Sequence, residues 1–348
     1  MKYDLTQARK CIETLDKRRF DRALLGSGDA FRHIVSLVPL LLHLNHPALP
    51  GYVEDAPAGI ADFILSNYQQ NYLSKEHPEL IEDVQSAVDS DAVFTPILGI
   101  YVMGSFGSIS QTSASDLDIW ICHQDDLSEQ DQQRLAEKTK KITQWAYTFH
   151  VEMHFYLMTQ KRFRNERYSD PLTKENSGSA QYMLLLEEFY RSAVRLSGKP
   201  LLWLHLWVED EKQYEAEVAR LVAEGELNPN DWVDFGGLGQ FSASEYFGAS
   251  LWQLYKGIDS PYKSVMKILL LETYAQEYPN AHLIARQFKE DLLSGRSTAA
   301  HHFDPYIAIL ERISQYLTAH SEFKRLDFVR SCFYVKATED FALYHASN

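Results

Sequence analysis

Asp116 and Asp118 are the residues in this chain best placed to do chemistry. One apolar residue separates them in Asp116-Leu117-Asp118-Ile119-Trp120, and residues i and i+2 of a strand point to the same face. Two carboxylates held side by side repel, so the arrangement is costly unless a cation sits between them. Hard oxygen donors of this kind suit Mg2+, which takes one or two carboxylates plus substrate phosphates. Two such ions can activate an attacking oxygen and stabilise a leaving one in an in-line phosphoryl displacement. Upstream, Gly104-Ser105 ends an apolar run and opens a Gly/Ser-rich loop. A turn of that composition leaves backbone N–H groups and a hydroxyl free to hold phosphate oxygens. An Asp-x-Asp alone is usually a solvated face, and a Gly-Ser alone is usually a turn. Their occurrence in order, as strand end, loop and strand start, is much more specific. A third carboxylate is expected from a neighbouring strand. Glu152, in Val151-Glu152-Met153-His154, fits as a further metal ligand or as the acceptor of a proton from an attacking hydroxyl. His154 has the same parity, although a core or supporting histidine needs no special role.

Several elements must position these groups. The segment from Val93 to Met103 is apolar and β-branched and predicts a buried strand ending at Gly104. Residues 116–122 predict a second strand, 127–149 a helix with an apolar stripe, and 150–158 a third strand. Residues 181–196 read as helix, and Pro200–Val208 reads as a fourth, apolar strand. The first 45 or so residues read as helix, broken by the Pro/Gly cluster at 46–51, and another helical stretch covers 61–72. Beyond Asp210 the strand signal disappears. Residues 242–256, 261–278, 281–293, 304–319 and 321–336 all carry helical periodicity, and Ser260-Pro261 is a clear helix start. The expected fold class is therefore α+β: a small mixed β-sheet with flanking helices, plus an all-helical second domain. The expected division is a helical segment over residues 1–89 packing on a catalytic domain at 90–208, and a helical domain at 209–348 closing the cleft.

Composition limits the function classes. The 348 residues are 45% hydrophobic and 24% charged, as in an ordinary globular chain of about two domains. A net charge of −14 disfavours nucleic acid as a partner, because polyanion binding draws on Lys and Arg. Cys11, Cys122 and Cys332 are too few and too scattered for a disulfide framework or a Cys-x-x-Cys metal pair. The charged N-terminus lacks the apolar core of a signal peptide, and the longest apolar run, near residues 37–44, is far short of the ~20 a membrane span needs. A cytoplasmic location is expected.

The pattern hydrophobic-Gly-Ser, loop, Asp-hydrophobic-Asp resembles the signature of the DNA polymerase β-like nucleotidyltransferase superfamily. The wider text narrows the resemblance. MGSFGSISQTSASDLDIWICHQ, LLLEEFYRSAVRLSGK, EYFGASLWQLYKGIDSPYKSVMKILLLETYAQEYPN and RLDFVRSCFYVK look like the class I adenylate cyclases of gammaproteobacteria. RRFDRALLGSGDAFRHIVSLVPLLLHLNHPALPGYV extends the likeness to the N-terminal segment, so it covers essentially the whole chain. The resemblance implies a nucleotidyltransferase sheet, ATP as substrate, and 3′,5′-cyclic AMP and pyrophosphate as products. It implies Mg2+, two ions, with Mn2+ or Ca2+ as substitutes. It also implies a regulatory C-terminal region and the glucose-specific phosphocarrier of the sugar phosphotransferase system as partners. Residue by residue, Gly104 and Ser105 match the phosphate-holding turn, Asp116 and Asp118 the metal ligands, and Ser115 the serine before them.

Three carboxylates and a triphosphate need cations beyond the metals. Lys263 and Lys267 share a helix face four residues apart, and Lys256 lies just before the Ser260-Pro261 turn. The three are expected to converge on one cleft. Their surroundings are apolar and aromatic, unlike the solvated edge that is the default for lysine. Ser179 and Gln181 open a helix after a Ser/Gly loop and are expected either to touch the nucleotide or to cap the helix. Trp120, Phe106, Tyr182 and Tyr255 are candidate adenine neighbours, though aromatics in such elements are usually core. Two other functions fit the same motif. One is AMP transfer to a separate acceptor, and the other is an inactive nucleotide-binding regulatory module, which would have no need to keep Asp116 and Asp118.

Overall fold

The structure is a computed structural model and describes residues 5–81, 84, 95–112, 115–166, 182–239, 241–294 and 303–346. Four strands form one mixed sheet: β1 (Ile97–Met103), β2 (Leu117–His123), β3 (Met153–Met158) and β4 (Val194–Gly198), in the order β3-β2-β1-β4. β1 pairs antiparallel with β2 and with β4, whereas β2 and β3 are parallel. Parallel neighbours need a crossover, and helix α4 (Glu129–Tyr147) supplies it. Ser128 caps that helix by accepting from the Asp131 amide, and Leu135, Ile142 and Ala146 form its buried stripe.

Before the sheet come α1 (Leu5–Leu25), α2 (Asp29–His43) and α3 (Asn67–Glu76). The expected single helical region breaks at Gly26-Ser27-Gly28, and α3 starts six residues later than the periodicity indicates, at its Ser66 capping box. After β3 come α5 (Gln160–Glu166), α6 (Tyr182–Ser192), α7 (Leu202–His205) and α8 (Tyr214–Ala223). The last helices are α9 (Ala243–Lys256), α10 (Pro261–Gln276), α11 (Ile284–Leu293), α12 (Pro305–Ala319) and α13 (Phe323–Ala346). Ser242 and Glu245 form a capping box at α9, and Pro261 opens α10 at its first turn.

One expectation is corrected. The fourth strand is Val194–Gly198, overlapping the end of the stretch read as helix, and the apolar run 200–208 carries the short helix α7 instead. A short apolar run cannot be assigned to a strand or a buried helical turn by periodicity alone. Its partners settle it: β4 pairs with β1, and Gly198, at φ +88°, passes so close to β1 that a Cβ would lie 2.5 Å from the Leu98 carbonyl oxygen. Trp203 of α7 is fully buried and stacks on Tyr190 at 4.2 Å between centroids.

Strand alternation divides the core. Ile100, Val102, Ile119 and Ile121 pack with Ile34 and Val38 of α2 and with Leu135 and Ile142 of α4. Tyr101, Met103, Trp120 and Cys122 on the opposite face share a cluster with Phe189 of α6 and with Met266, Leu270 and Tyr274 of α10. Trp120 stacks on Phe189 at 4.1 Å and 12°. Such a pair contributes about 0.5–1.5 kcal/mol beyond its area burial, so α6 is seated on the sheet through its aromatic face. No helix among the described residues is long and apolar enough to cross a membrane.

Candidate active site

The Gly/Ser loop is pinned from three sides. Gly104 has φ +88°, a region that favours glycine, and its N–H donates to Ser192 Oγ at the end of α6 at 3.1 Å. That N–H is therefore engaged, contrary to the expectation of a free one, while a Cβ on Gly104 would meet nothing within 4 Å. The room at this turn lies beside the Cα. Ser105 is buried, and its carbonyl accepts from the amide and hydroxyl of Ser108 at 3.0 and 2.7 Å. Buried Arg19 of α1 donates to the carbonyls of Phe106, Ser192 and Ala193. Gln111 Oε1 accepts from the Gly107 amide, and its Nε2 donates to Ala23 O and Ser27 Oγ. Asp304, the N-cap of α12, accepts from the Ile109 amide at 2.6 Å and from Arg22 at 3.2 Å.

Gly107 is where this packing is tightest. Its φ is +66°, and a Cβ there would lie 2.3 Å from the Arg19 carbonyl oxygen. Backbone cannot swing aside as a side-chain tip can. Gly107→Ala is expected to cost at least about 2 kcal/mol, measured by urea unfolding. A loss under about 0.5 kcal/mol would mean that α1 and the loop are not held together as described.

Asp116 immediately precedes β2 and Asp118 lies within it, both partly exposed. The parallel register sets Leu117 beside Met153 and Asp118 beside His154, and the Leu117 amide donates to the Glu152 carbonyl at 3.0 Å. Glu152 thus stands at the strand position next to Asp116, and its exposed carboxylate pairs with His154 at 3.2 Å. Tyr156, at the same parity, donates its hydroxyl to Asp118 Oδ1 at 3.2 Å. Burial and then the neighbouring Asp116 raise the Asp118 carboxyl above its ordinary range, opposed by Lys263, His154 and the Tyr156 bond. Crowded carboxylates of this kind fit a hard divalent cation. Among the described residues no group of three or more His, Cys, Asp and Glu side chains converges. Asp116 and Asp118 would therefore share such an ion with water and phosphate oxygens.

The lysines separate into two groups. Lys263 lies 5.9 Å from the Tyr306 ring centroid, and Tyr306, Asp116 and Glu188 raise its pKa against the effect of burial. Lys267, one turn further along α10, pairs with Glu188 at 2.6 Å. Lys256 is exposed at the end of α9, 5.4 Å from the Trp252 centroid, so the expected three-way convergence is described for two. Ser115 accepts from the Thr112 amide at 2.9 Å and closes the loop. Ser179 and Gln181 lie outside the described residues. Of the aromatic candidates, Trp120, Phe106 and Tyr182 are buried core, and Tyr255 is 60% exposed beside Trp252.

Sequence reasoning missed Tyr156, Glu188, Ser192 and Tyr306. Tyr156 was within reach, since it sits two residues after His154 on the strand that carries Glu152. Adjacent Glu187 and Glu188 inside the otherwise apolar LLLEEFYRS also carried a signal, because carboxylates in a buried helix require partners.

Residues 4–204 match the family model described as the adenylate cyclase NT domain, and residues 241–348 match the one described as adenylate cyclase, class-I, second domain. The adenylate cyclase of Haemophilus influenzae is 68% identical over 353 residues, covering 100% of this chain and 42% of that protein. The adenylate cyclase of Pasteurella multocida is 62% identical, covering 97% of this chain and 41% of that one. That of Escherichia coli K12 is 46% identical, covering 94% and 38%. The chain thus spans 42% or less of the length of these relatives. Among solved structures it is similar to the spectinomycin adenyltransferase AAD(9) from Enterococcus faecialis with ATP and spectinomycin. The identity is 13% and the TM-score 0.30, covering 77% of this chain and 99% of that one.

Proposed function

Because the chain belongs to the class I adenylate cyclase family, we propose that it carries the catalytic site of such an enzyme and converts ATP to 3′,5′-cyclic AMP and pyrophosphate. The observation that carries this reading is the pair Asp116 and Asp118 beside the open Gly104 turn, with the Lys263 ammonium acting on both carboxylates. In this reading residues 209–348 form the unit that closes on the nucleotide, and Gly104 and Ser105 receive the triphosphate. Mg2+ held by Asp116 and Asp118 supplies positive charge to the phosphates and acidifies the ribose 3′-hydroxyl when bound.

The chain's own residues do the rest. The 3′-oxygen forms a bond to the α-phosphorus as the bond from that phosphorus to the β-phosphate oxygen breaks. The 3′-hydroxyl proton goes to Glu152 and reaches solvent through His154, its partner at 3.2 Å. Tyr156 fixes the orientation of Asp118 through its hydroxyl. Lys263, with Lys267 one turn further along α10, balances the charge that builds on the departing pyrophosphate, and such charge stabilisation dominates phosphoryl transfer. Ser115 holds the loop shape through Thr112. The enzyme acts in the cytoplasm, with its C-terminal regulatory region and the glucose-specific phosphocarrier as partners.

Incubation of the purified chain with ATP and Mg2+ alone, with products resolved by mass, tests the proposal. Cyclic AMP and pyrophosphate in equal amounts are expected, since cyclisation needs no acceptor. Turnover only when an acceptor is added would identify an AMP transferase, and ATP binding without any product, here and in the full-length protein, would identify a regulatory module.

A further inference from the structure

We infer that Glu188 is a positioning residue of this site, acting through Lys267: one turn of α6 holds that lysine by a carboxylate and Gly104 by a hydroxyl, so a single rigid element sets the distance between the ammonium group and the phosphate turn. The inference rests on the reading of the site as one for ATP.

Two faces of α6 divide the work. Glu187 points into the helical core, where it pairs with Arg191 and accepts from Tyr274 and Ala285. Glu188, the next residue round the helix, meets α10 one step earlier: Lys267 Nζ lies 2.6 Å from its Oε1, with both side chains less than one-fifth exposed. Four residues later Ser192 Oγ donates to the Glu188 carbonyl at 2.7 Å and accepts from the Gly104 amide at 3.1 Å. The side chain of Glu188 and the hydroxyl of Ser192 therefore share one helix face, and that helix is anchored to the sheet by the Trp120–Phe189 stack.

A merely structural role explains less. An ion pair this buried is weak evidence for stability, because the cost of desolvating two charges offsets their attraction. Burial would raise the Glu188 carboxyl, but Lys267 and Arg191 bring it down to about 2, so it carries its charge throughout the physiological range. What the pair does supply is orientation. Lysine has a flexible four-carbon stem, and fixing it in advance removes rotamer entropy from the cost of ligand binding. Tyr306, Asp116 and Glu188 all favour the charged form of Lys263, which lies 5.9 Å from the Tyr306 ring centroid. The Glu188 carboxylate therefore bears on both lysines of this helix face, pairing with Lys267 and acting on Lys263.

The test is a double-mutant cycle in the whole chain, read as affinity for a non-hydrolysable ATP analogue with Mg2+ by calorimetry, alongside cyclic AMP formation and the unfolding midpoint. Glu188→Gln and Lys267→Met are each expected to weaken analogue binding about tenfold, the scale of one charge-assisted hydrogen bond. The double variant, which leaves no unpaired buried charge, is expected to bind within about threefold of Lys267→Met. Glu188→Asp, which keeps the charge but shortens the reach, is expected to recover part of the affinity. The inference is overturned if Glu188→Gln binds like the wild type. It is also overturned if the double variant loses the product of the two single effects, or if only the unfolding midpoint moves. Failure of the function reading looks different: a wild-type chain that binds the analogue but makes no cyclic AMP removes the reaction and leaves the affinity cycle intact, whereas one that binds no analogue overturns both.

Discussion

Asp118→Asn is expected to lower cyclic AMP formation by at least about 1000-fold while leaving the fold in place. The side chain keeps its shape and can still accept from the Tyr156 hydroxyl, but the second anionic oxygen donor facing Asp116 is lost. Stability should move in the opposite direction from activity. In the metal-free protein burial and Asp116 raise the Asp118 carboxyl above its unfolded-state value. A carboxyl raised in this way contributes stability below its unfolded pKa, and that contribution is lost as pH rises through the folded one. At neutral pH the metal-free wild type therefore carries a repulsive pair that asparagine relieves. The expected signature is an unfolding midpoint equal to or above wild type without Mg2+, together with loss of the upward shift that Mg2+ gives the wild type. Retained turnover, or a lower midpoint in the absence of metal, would remove Asp118 from the site.

Arg191→Met is expected to cost about 3–5 kcal/mol in urea unfolding, because it strands a buried carboxylate. Glu187 is 1% exposed and Arg191 4%. Burial raises the Glu187 carboxyl, and Arg191, the Ala285 amide and the Tyr274 hydroxyl oppose that rise. Without the guanidinium, Glu187 must either take up a proton or break its contacts to α10 and α11. Glu187→Gln combined with Arg191→Met removes both charges and is expected to recover most of the loss, as for other buried pairs whose partners are replaced together. A single-variant cost below about 1 kcal/mol would mean that water reaches Glu187. Activity should fall along with stability, because α6 also carries Ser192 and Glu188. A shift of α6 by about 1 Å is enough to cost about 100-fold in a positioned reaction.

Much of this architecture was legible because it is local. Strand parity places Asp116 and Asp118 on one face wherever the strand lies. Ser260-Pro261 starts α10 through the fixed φ of proline, and Ser242 with Glu245 caps α9 within three residues. The spacing of Lys263 and Lys267 follows from the helical repeat alone. The fourth strand was misplaced because its identity depends on pairing with β1, nearly one hundred residues away, and Val194–Gly198 is too short to announce a period. The tertiary structure alone decided what each polar group meets. Gly104 gives its N–H to Ser192 across 88 positions, and Lys267 meets Glu188 across 79. Asp304 reaches back 195 positions to hold the Ile109 amide. Sequence determines which face a side chain takes, since that depends on torsions within a few residues. The partner it meets there depends on how separate apolar faces bury one another, and no local spacing encodes that.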